Sequence, residues 1–349
     1  MLAAVTRSPG ELVLDDVPVP GMPGPGNVIV RPEVVGICGS DLHLYSGDVG
    51  ALSGARDFYP RIQGHELSAV IESAGEGCPP SLRAGERVAV FPLLPCGRCH
   101  PCRVGRPNAC VFLRLVGVHV DGGLQQRLAV PASQVFGVGD LDLSCAAFVE
   151  PLSIAVHALG RGRFRAGQQI VVFGAGPIGL ATVIVAAGAG ARVMAIDPVA
   201  SRRDLAAKMG AERMVWGTPE ELLDAARDWT NGDGPPLILD TTGDAGVLPR
   251  AAEMVCSAGR IIVVGMSAAT AALRSGVFPE KEIEVAGSSC ATADDFAGAV
   301  RIVAAHRDLV FSLFSHRFPL SQVGKAFEFA MNRPSDVVKV LVTITGDPP

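Results

Sequence analysis

The sequence has little net charge, few aromatic residues and no long hydrophobic run. Net charge at neutral pH is only −5 and basic residues are scattered, so nothing indicates a surface for nucleic acid or for an anionic membrane. Aromatic residues make up only 5% of the chain and do not cluster with basic ones, which counts against a zinc-ribbon protein that binds nucleic acid. Apolar stretches such as GLATVIVAAGAGA are too short and glycine-rich to span a bilayer.

A signal peptide is also missing from the sequence pattern. The N-terminal stretch MLAAVTRSPGELVL has no charged start followed by an apolar core and a cleavage site, so we expect a cytoplasmic protein. Because the cytosol keeps thiols reduced, the nine cysteines favour metal binding over disulfides. A length of 349 residues, 48% of them hydrophobic, is enough for two globular domains.

The order of strand and helix patterns divides the chain. The first 150 residues contain short β-like runs separated by glycine and proline, which is typical of a compact β-barrel or sandwich. From about residue 152, apolar β-runs alternate with helical patterns, which predicts a mostly parallel, doubly wound sheet of six strands. The final helices and strand are too few for a domain. We therefore predict one domain formed by 1–152 and 290–349, and a dinucleotide-binding domain at 153–289.

A glycine-rich loop stands between the first strand and helix of the second predicted domain. In VVFGAGPIGL, Gly174, Gly176 and Gly179 have the G-x-G-x-x-G spacing. The first glycine allows a tight turn, the second lets the backbone approach a pyrophosphate, and the third lets helix and strand pack closely. The helix that begins near Pro177 and Ile178 offers unpaired N–H groups to the phosphates.

The next predicted strand ends at an acidic residue. Asp197 lies 18 residues past Gly179, where a carboxylate can accept hydrogen bonds from both ribose hydroxyls. A 2′-phosphate there would meet like charge, so the sequence favours NAD over NADP. Arg202 is included in the predicted cofactor site, and together with Arg203 it weakens that preference.

Four cysteines are clustered in PCGRCHPCRVGRPNAC. Cys96, Cys99, Cys102 and Cys110 form a closed set of thiolate ligands within a lobe at about 91–112. With all four positions filled by sulfur there is no open position for water, so a zinc ion bound here would be structural. An iron–sulfur cluster is the alternative, since bacterial clusters also use C-x2-C-x2-C spacing.

Three dispersed segments offer further metal ligands. Cys38 stands in VGICGSDLH, His65 and Glu66 in QGHELSAV, and Glu150 in FVEPLSIAVHAL. Each is weak by itself, because a lone cysteine is usually a small buried residue and a glutamate beside proline often begins a helix.

Taken in order, the motifs GICGSD, GHE, the cysteine cluster, EPL and GAGPIG resemble the zinc-dependent medium-chain dehydrogenase/reductase superfamily. The resemblance covers essentially the whole chain and is closest to the polyol and sugar-acid branch, with sorbitol, threonine and galactonate dehydrogenases. It implies an α/β protein with a GroES-like β-barrel catalytic domain and a doubly wound Rossmann domain. It also implies two zinc ions per chain, one catalytic and one structural, together with NAD.

The same resemblance assigns roles to individual residues. Cys38 and His65 match catalytic zinc ligands, Glu66 matches a glutamate that ligates directly or in one state of the cycle, and Glu150 matches a ligand bound directly or through water. Asp41 matches the residue that supports the metal-bound histidine. Ser40 and His43 match a proton relay from substrate to solvent, which suits the pKa of histidine. Tyr45 and Ser289 are candidates for contact with substrate.

The sequence thus predicts oxidation of a secondary hydroxyl of a polyol, sugar acid or cyclitol to a ketone. The alternatives are a threonine-type 3-hydroxy amino acid dehydrogenase and a non-catalytic NAD(H)-binding relative. The resemblance further implies a homodimer or homotetramer, with KEIEVAG as the edge strand that pairs between copies. We expect a small-molecule partner only.

Overall fold

The computed structural model describes residues 1–49, 58–332 and 337–345. The chain forms two compact units. One consists of Met1–Glu150 and Thr292–Pro349, and the other of Pro151–Ala291. Among the helices of the described residues, none is both long and apolar enough to cross a membrane.

The described residues form strands and helices in mixed order. The strands are β1 Leu2–Ser8, β2 Glu11–Asp16, β3 Asn27–Gly36, β4 Arg61–Ile62, β5 Glu66–Ala74, β6 Arg87–Val90, β7 Leu93–Leu94, β8 Arg114–Leu115, β9 Leu128–Pro131, β10 Val135–Gly137, β11 Gln169–Phe173, β12 Arg192–Ile196, β13 Arg213–Val215, β14 Leu237–Asp240, β15 Arg260–Val263, β16 Glu284–Gly287, β17 Phe314–Pro319 and β18 Lys339–Thr343. The helices are α1 Gly39–Ser46, α2 His100–Arg103, α3 Leu143–Ala147, α4 Val149–Arg161, α5 Pro177–Gly188, α6 Ala200–Lys208, α7 Pro219–Trp229, α8 Val247–Met254, α9 Val277–Lys281, α10 Ala293–Ala305, α11 Arg307–Phe311 and α12 Val323–Asn332.

The first unit is built from β-sheets around one hydrophobic cluster. Its largest sheet has the order β10-β6-β5-β3-β18-β17, with β9 also paired to β3, and a smaller sheet has the order β2-β1-β4. Apolar residues of both sheets and of helix α12 share the same buried cluster. The antiparallel pair β3–β5 shifts register near Pro32, which has no N–H to give to the ladder.

The C-terminal strand β18 returns to the centre of this sheet. It pairs antiparallel with β3, with Leu341 opposite Gly36, and the amide of Ile37 donates to the carbonyl of Val340. The pairing places Lys339, the first residue of β18, beside the end of β3. The patterns in the sequence indicated β18, but not β17 or the hairpin β1–β2.

The second unit is a doubly wound parallel sheet. Its six strands have the order β13-β12-β11-β14-β15-β16, and all neighbouring pairs are parallel. Strand β14 is buried throughout, β15 nearly so and β11 from its second residue, as expected where helices cover both faces of a parallel sheet. The sheet order changes direction between β11 and β14, which is where ligands bind in such folds.

Candidate functional site

Three metal-ligating side chains meet in the first unit. Cys38 follows β3 and caps helix α1, whereas His65 and Glu66 stand at the start of β5, the neighbouring antiparallel strand. Cys38 Sγ, a ring nitrogen of His65 and a carboxylate oxygen of Glu66 all lie within 4.8 Å of one another. Donors this close can bind a single metal ion, and the mixture of sulfur, nitrogen and oxygen is suited to zinc.

His65 is held between two predicted site residues. Its Nδ1 lies 3.6 Å from Asp41 Oδ1, too long for a hydrogen bond, and its Nε2 lies 3.4 Å from Ser40 Oγ. Asp41 is 1% exposed and accepts from the amides of Cys38 at 2.9 Å and Gly64 at 3.3 Å. The carboxylate therefore faces one ring nitrogen and leaves Nε2 available to a metal.

The electrostatics of this cluster favour a bound cation. Burial opposes the charged imidazolium, but the negative charges of Asp41 and Cys38 outweigh it and raise the pKa of His65 well above its usual value. Burial raises the pKa of the Asp41 carboxyl, but His65 and the backbone amides lower it by a larger amount. The pKa of Asp41 is therefore below its usual value. The buried groups thus leave an excess of negative charge that a divalent cation would balance.

Glu150 lies near the three close donors without joining them. Its donor atom is outside the group within 4.8 Å. The side chain is 9% exposed. Burial raises the pKa of the Glu150 carboxyl to about 7; the nearby Glu66 carboxylate adds to this increase, and His65 opposes it. A carboxyl with this pKa keeps its charge at neutral pH only in part, so a nearby cation would favour the ionised form. Its predicted role as a ligand stays a prediction.

Glu66 forms a buried ion pair with a residue that the sequence analysis missed. Lys339 Nζ donates to Glu66 Oε1 at 2.7 Å and Oε2 at 2.5 Å, and to the carbonyl of Ile37 at 3.1 Å. The two side chains are 3% and 2% exposed. A Cβ on Gly36 would lie 2.2 Å from Glu66 Oε2, so only glycine leaves room for this carboxylate.

The sequence does contain a feature that could have identified Lys339 as a buried, paired residue. The run VVKVLVTI has one charged residue within an apolar strand, and a lysine is almost never fully buried without a partner. The identity of that partner could not be read from the sequence, because Glu66 lies 273 positions away.

The other predicted residues of this unit have simpler surroundings. Ser40 and His43 lie one turn apart on α1, and the Nδ1 atom of His43 is 3.4 Å from Asp48 Oδ2. The ring of Tyr45 packs edge-on against Phe327, with ring centroids 5.4 Å apart. The relay and the substrate contact stay predictions.

The four clustered cysteines meet around one point between β7 and β8. Their sulfur atoms lie within 4.8 Å of one another, with Cys99 Sγ at 3.4 Å from Cys102 Sγ and 3.6 Å from Cys110 Sγ. A tetrahedral zinc with Zn–S of about 2.3 Å would separate its sulfurs by about 3.8 Å. In an iron–sulfur cluster the thiolates bind different irons, so this spacing fits a single ion better.

The protonation of these thiols also suits a metal ion. An N–H from Cys102 stabilises the thiolate of Cys99 and lowers its pKa to about 6. Burial and the neighbouring sulfurs raise the pKa of Cys102 to about 12. Since thiolates this close repel one another, all four can ionise together only around a cation.

The glycine loop of the second unit has the geometry that phosphate binding requires. Gly174 has φ of +91°, and a Cβ on Gly179 would lie 1.9 Å from the Gly174 carbonyl oxygen. A Cβ on Gly176 would meet nothing within 4 Å, so the space beside it is open. Helix α5 begins at Pro177, with its N-terminus toward this loop.

Asp197 and Arg202 line a cavity of about 330 Å³ beside that loop. Asp197 Oδ2 accepts from the amide of Ala175 and Oδ1 from the amide of Val199, both at 2.8 Å. These bonds fix the carboxylate and leave its remaining lone pairs for ribose hydroxyls. Ser289 of this unit is exposed and donates to Cys290 Sγ at 3.8 Å, which does not test its predicted substrate role.

Comparisons with known proteins agree with this geometry. Residues 24–140 match the model of the alcohol dehydrogenase GroES-like domain, and residues 177–305 match that of zinc-binding dehydrogenases. The chain is 29% identical to L-galactonate-5-dehydrogenase of Escherichia coli K12 over 98% of this chain and 99% of that protein. It is 30% identical to sorbitol dehydrogenase of Bacillus subtilis over 98% of this chain and 97% of that protein.

A solved structure extends the similarity to three dimensions. The alcohol dehydrogenase rspB from E. coli CFT073, complexed with NADH, has 31% identity and a TM-score of 0.89, with 99% of each chain covered. The present chain belongs to the zinc-type medium-chain alcohol dehydrogenase family, in its polyol dehydrogenase branch. Family membership confirms the resemblance, the fold class and the assignment as an enzyme.

Two glycines of the loop should respond differently to alanine. Gly179→Ala places a methyl group on the Gly174 carbonyl and should cost about 1–3 kcal/mol of unfolding free energy or more. Gly176→Ala has free space in the protein itself, so stability should stay near wild type while the dissociation constant for NAD rises about tenfold or more. Urea unfolding and calorimetric titration measure the two effects. Equal loss of stability in both variants would contradict the distinction.

Substitutions of Lys339 and Glu66 should have effects on the unfolding free energy that depend on each other. Lys339→Met leaves a buried carboxylate without its partner and should lower the unfolding free energy by about 3–5 kcal/mol. Adding Glu66→Gln should recover part of that loss, because the uncompensated charge is removed. Denaturant unfolding of both single variants and the double variant measures the coupling. Additive losses would contradict it, and Lys339→Arg serves as the charge-preserving control.

Proposed function

We propose that this enzyme oxidises a secondary hydroxyl of a polyol, sugar acid or cyclitol to a ketone, with zinc and NAD. The observation that carries the proposal is the mixed donor set of Cys38, His65 and Glu66, with the Glu150 carboxyl nearby. A metal centre with carboxylate ligands and one thiolate is harder and more polar than a metal centre with several thiolates. Such a centre suits substrates rich in hydroxyl groups.

The chain's own residues supply metal binding and proton movement. A zinc ion held by Cys38 and His65 would act as a Lewis acid that lowers the pKa of the substrate hydroxyl. Ser40, whose Oγ lies 3.4 Å from His65 Nε2, stands beside this position and can accept the released proton. His43, one turn further along α1 and partly exposed, can pass it to solvent. Asp41 keeps the His65 ring oriented throughout.

Asp197 supports the proposed preference for NAD. A carboxylate fixed by two backbone amides accepts hydrogen bonds from ribose hydroxyls and repels a 2′-phosphate. NAD when bound would take the hydride from the carbinol carbon. Arg203 Nη1 donates to the backbone carbonyls of Asp197 and Pro198, so this nitrogen is already hydrogen-bonded within the protein. Only Arg202 of the two arginines lines the cavity.

The substrate class is supported by the names of the relatives. One acts on L-galactonate and another on sorbitol, both polyhydroxylated molecules with secondary hydroxyls. A homodimer or homotetramer also belongs to the proposal, since β16 lies at the edge of the six-stranded sheet, where pairing with a second copy can occur.

Metal analysis should separate the two proposed zinc sites. Wild-type protein should contain about two zinc ions per chain, and Cys38→Ser and Cys99→Ser should each contain about one. Cys38→Ser should lose turnover while its melting temperature stays close to wild type. Cys99→Ser should melt at a lower temperature, because metal binding there contributes folding energy. A Cys38→Ser protein with full zinc content and turnover would overturn the site.

A substrate panel tests the reaction itself. With NAD, the absorbance of the reduced cofactor should rise with polyols, sugar acids or cyclitols and stay flat with threonine and simple primary alcohols. Turnover with threonine alone would favour the 3-hydroxy amino acid alternative. Zinc-loaded protein that binds NAD but oxidises nothing in the panel would contradict the proposed substrate class.

A further inference from the structure

Two polar side chains lie deep in the apolar part of the first unit. Thr6 of β1 and Gln63, which directly follows β4, are both 0% exposed. The two strands pair with each other, Ile62 belongs to the hydrophobic cluster of this unit, and Val5 packs against that cluster. A polar group buried among apolar side chains costs free energy unless it is hydrogen-bonded. Both residues should therefore have specific partners, and neither has a role in the site described so far.

The side chain of Gln63 is hydrogen-bonded at both ends. Its Oε1 accepts from the hydroxyl of Thr6 at 2.6 Å. Its Nε2 donates to the main-chain carbonyl of Asp41 at 2.9 Å and lies 3.4 Å from Asp41 Oδ1. A chain of polar contacts thus runs from β1 through Gln63 to Asp41, and Asp41 in turn faces the candidate metal ligand His65.

The neighbours of the Gln63 amide determine its orientation. Both atoms of Asp41 that face the amide are oxygens that accept hydrogen bonds, so the NH2 group must be on their side. A reversed amide would place oxygen against oxygen. The amide oxygen therefore faces Thr6, whose hydroxyl can donate to it. The network has one consistent direction, from Thr6 through Gln63 to Asp41.

Asp41 Oδ1 is the atom that both Gln63 and His65 approach. It lies 3.4 Å from Gln63 Nε2 and 3.6 Å from His65 Nδ1. The backbone amides of Cys38 and Gly64 also donate to this carboxylate. Gln63 differs from those amides, because its Nε2 reaches both the main-chain oxygen and Oδ1 of Asp41. Two contacts with the same residue limit rotation of the Asp41 side chain and so fix the direction of Oδ1.

We propose that Gln63 is a positioning residue of the candidate metal centre. Its amide holds Asp41 so that Oδ1 faces Nδ1 of His65, which leaves Nε2 of His65 directed at the metal. The inference rests on the proposed function, since it takes Cys38 and His65 as zinc ligands. Groups that orient a metal-bound histidine contribute to metal affinity without touching the ion. Thr6 anchors the amide at its other end.

Zinc affinity tests this role in the full-length, zinc-loaded protein. Gln63→Met has a similar volume but no donor for Asp41. Competition with a chromogenic chelator should show the catalytic zinc bound about 5-fold to 50-fold more weakly. That ion is identified as the one missing from Cys38→Ser. The zinc of the cysteine cluster should be released as in wild type.

A second buried glutamine of the same unit supplies a matched control. Gln125 is 5% exposed, and its Nε2 donates to the carbonyl of Gly122 at 2.7 Å. Gln125→Met also loses a buried hydrogen bond, so both variants should melt about 2–6 °C below wild type. Only Gln63→Met should bind the catalytic zinc more weakly. The control therefore separates loss of stability from loss of positioning.

A double variant makes the same separation in the opposite direction. Gln63→Met leaves the hydroxyl of Thr6 buried without its acceptor, and adding Thr6→Val removes that hydroxyl. Replacing both partners of a buried hydrogen bond by apolar groups of similar shape can cost little stability. The double variant should thus melt at a higher temperature than Gln63→Met, yet bind the catalytic zinc equally weakly.

The orientation of the His65 ring can be followed directly by NMR of protein labelled with nitrogen-15 histidine. In zinc-loaded wild type, the N–H at Nδ1 of His65 faces Asp41 and should exchange slowly with water. In Gln63→Met this proton should exchange about tenfold faster, because the carboxylate is no longer held in place. Gln125→Met should give the wild-type rate.

The results separate this inference from the proposed function. If Gln63→Met binds the catalytic zinc as tightly as wild type and the His65 proton exchanges at the same rate, the positioning role is refuted while the enzyme assignment stands. Equal weakening of zinc in Gln125→Met, or recovery of zinc affinity in the double variant, would also refute it. If wild type holds no zinc that depends on Cys38, the proposed function fails as well.

Discussion

A buried lysine offsets the negative charge that the first unit gathers at its candidate metal centre. Cys38, Asp41, Glu66 and Glu150 are all acidic groups in or beside the protein interior, and Lys339 pairs with Glu66 among them. Charges removed from water are costly unless they are compensated. Burial alone would lower the pKa of Lys339, but Glu66, Cys38 and Glu150 raise it above its usual value. With Lys339 paired to Glu66 and His65 facing Asp41, a divalent cation would balance the negative charge that remains.

This compensation depends on how the chain returns to its starting domain. Strand β18 pairs with β3 and delivers Lys339 to the end of the strand that precedes Cys38. The same arrangement requires glycine at position 36, because a side chain there would occupy the space of Glu66. The last strand therefore both completes the sheet of the first unit and places Lys339 beside Glu66.

In the second unit, the main structural requirement is that the backbone of the glycine loop can come close to an anionic ligand. Thr241 Oγ1 donates to the carbonyls of Phe173 and Gly174, so the loop after β14 holds the glycine loop in place. Thr242 in turn donates to Asp240 Oδ1 through its amide and hydroxyl. These bonds hold the loop in position within the protein itself, and a preorganised loop loses less entropy on binding a ligand.

What the sequence determined by itself is local. The four cysteines and the three glycines each lie within about fifteen residues, so spacing alone limits their geometry and points to the ligand. The dispersed residues Cys38, His65 and Glu66 were identified only through the order of their motifs. Only the tertiary structure paired Lys339 with Glu66, or placed Thr241 against the glycine loop. Such contacts join segments that are far apart along the chain, and no periodicity encodes which strand or helix will become a neighbour.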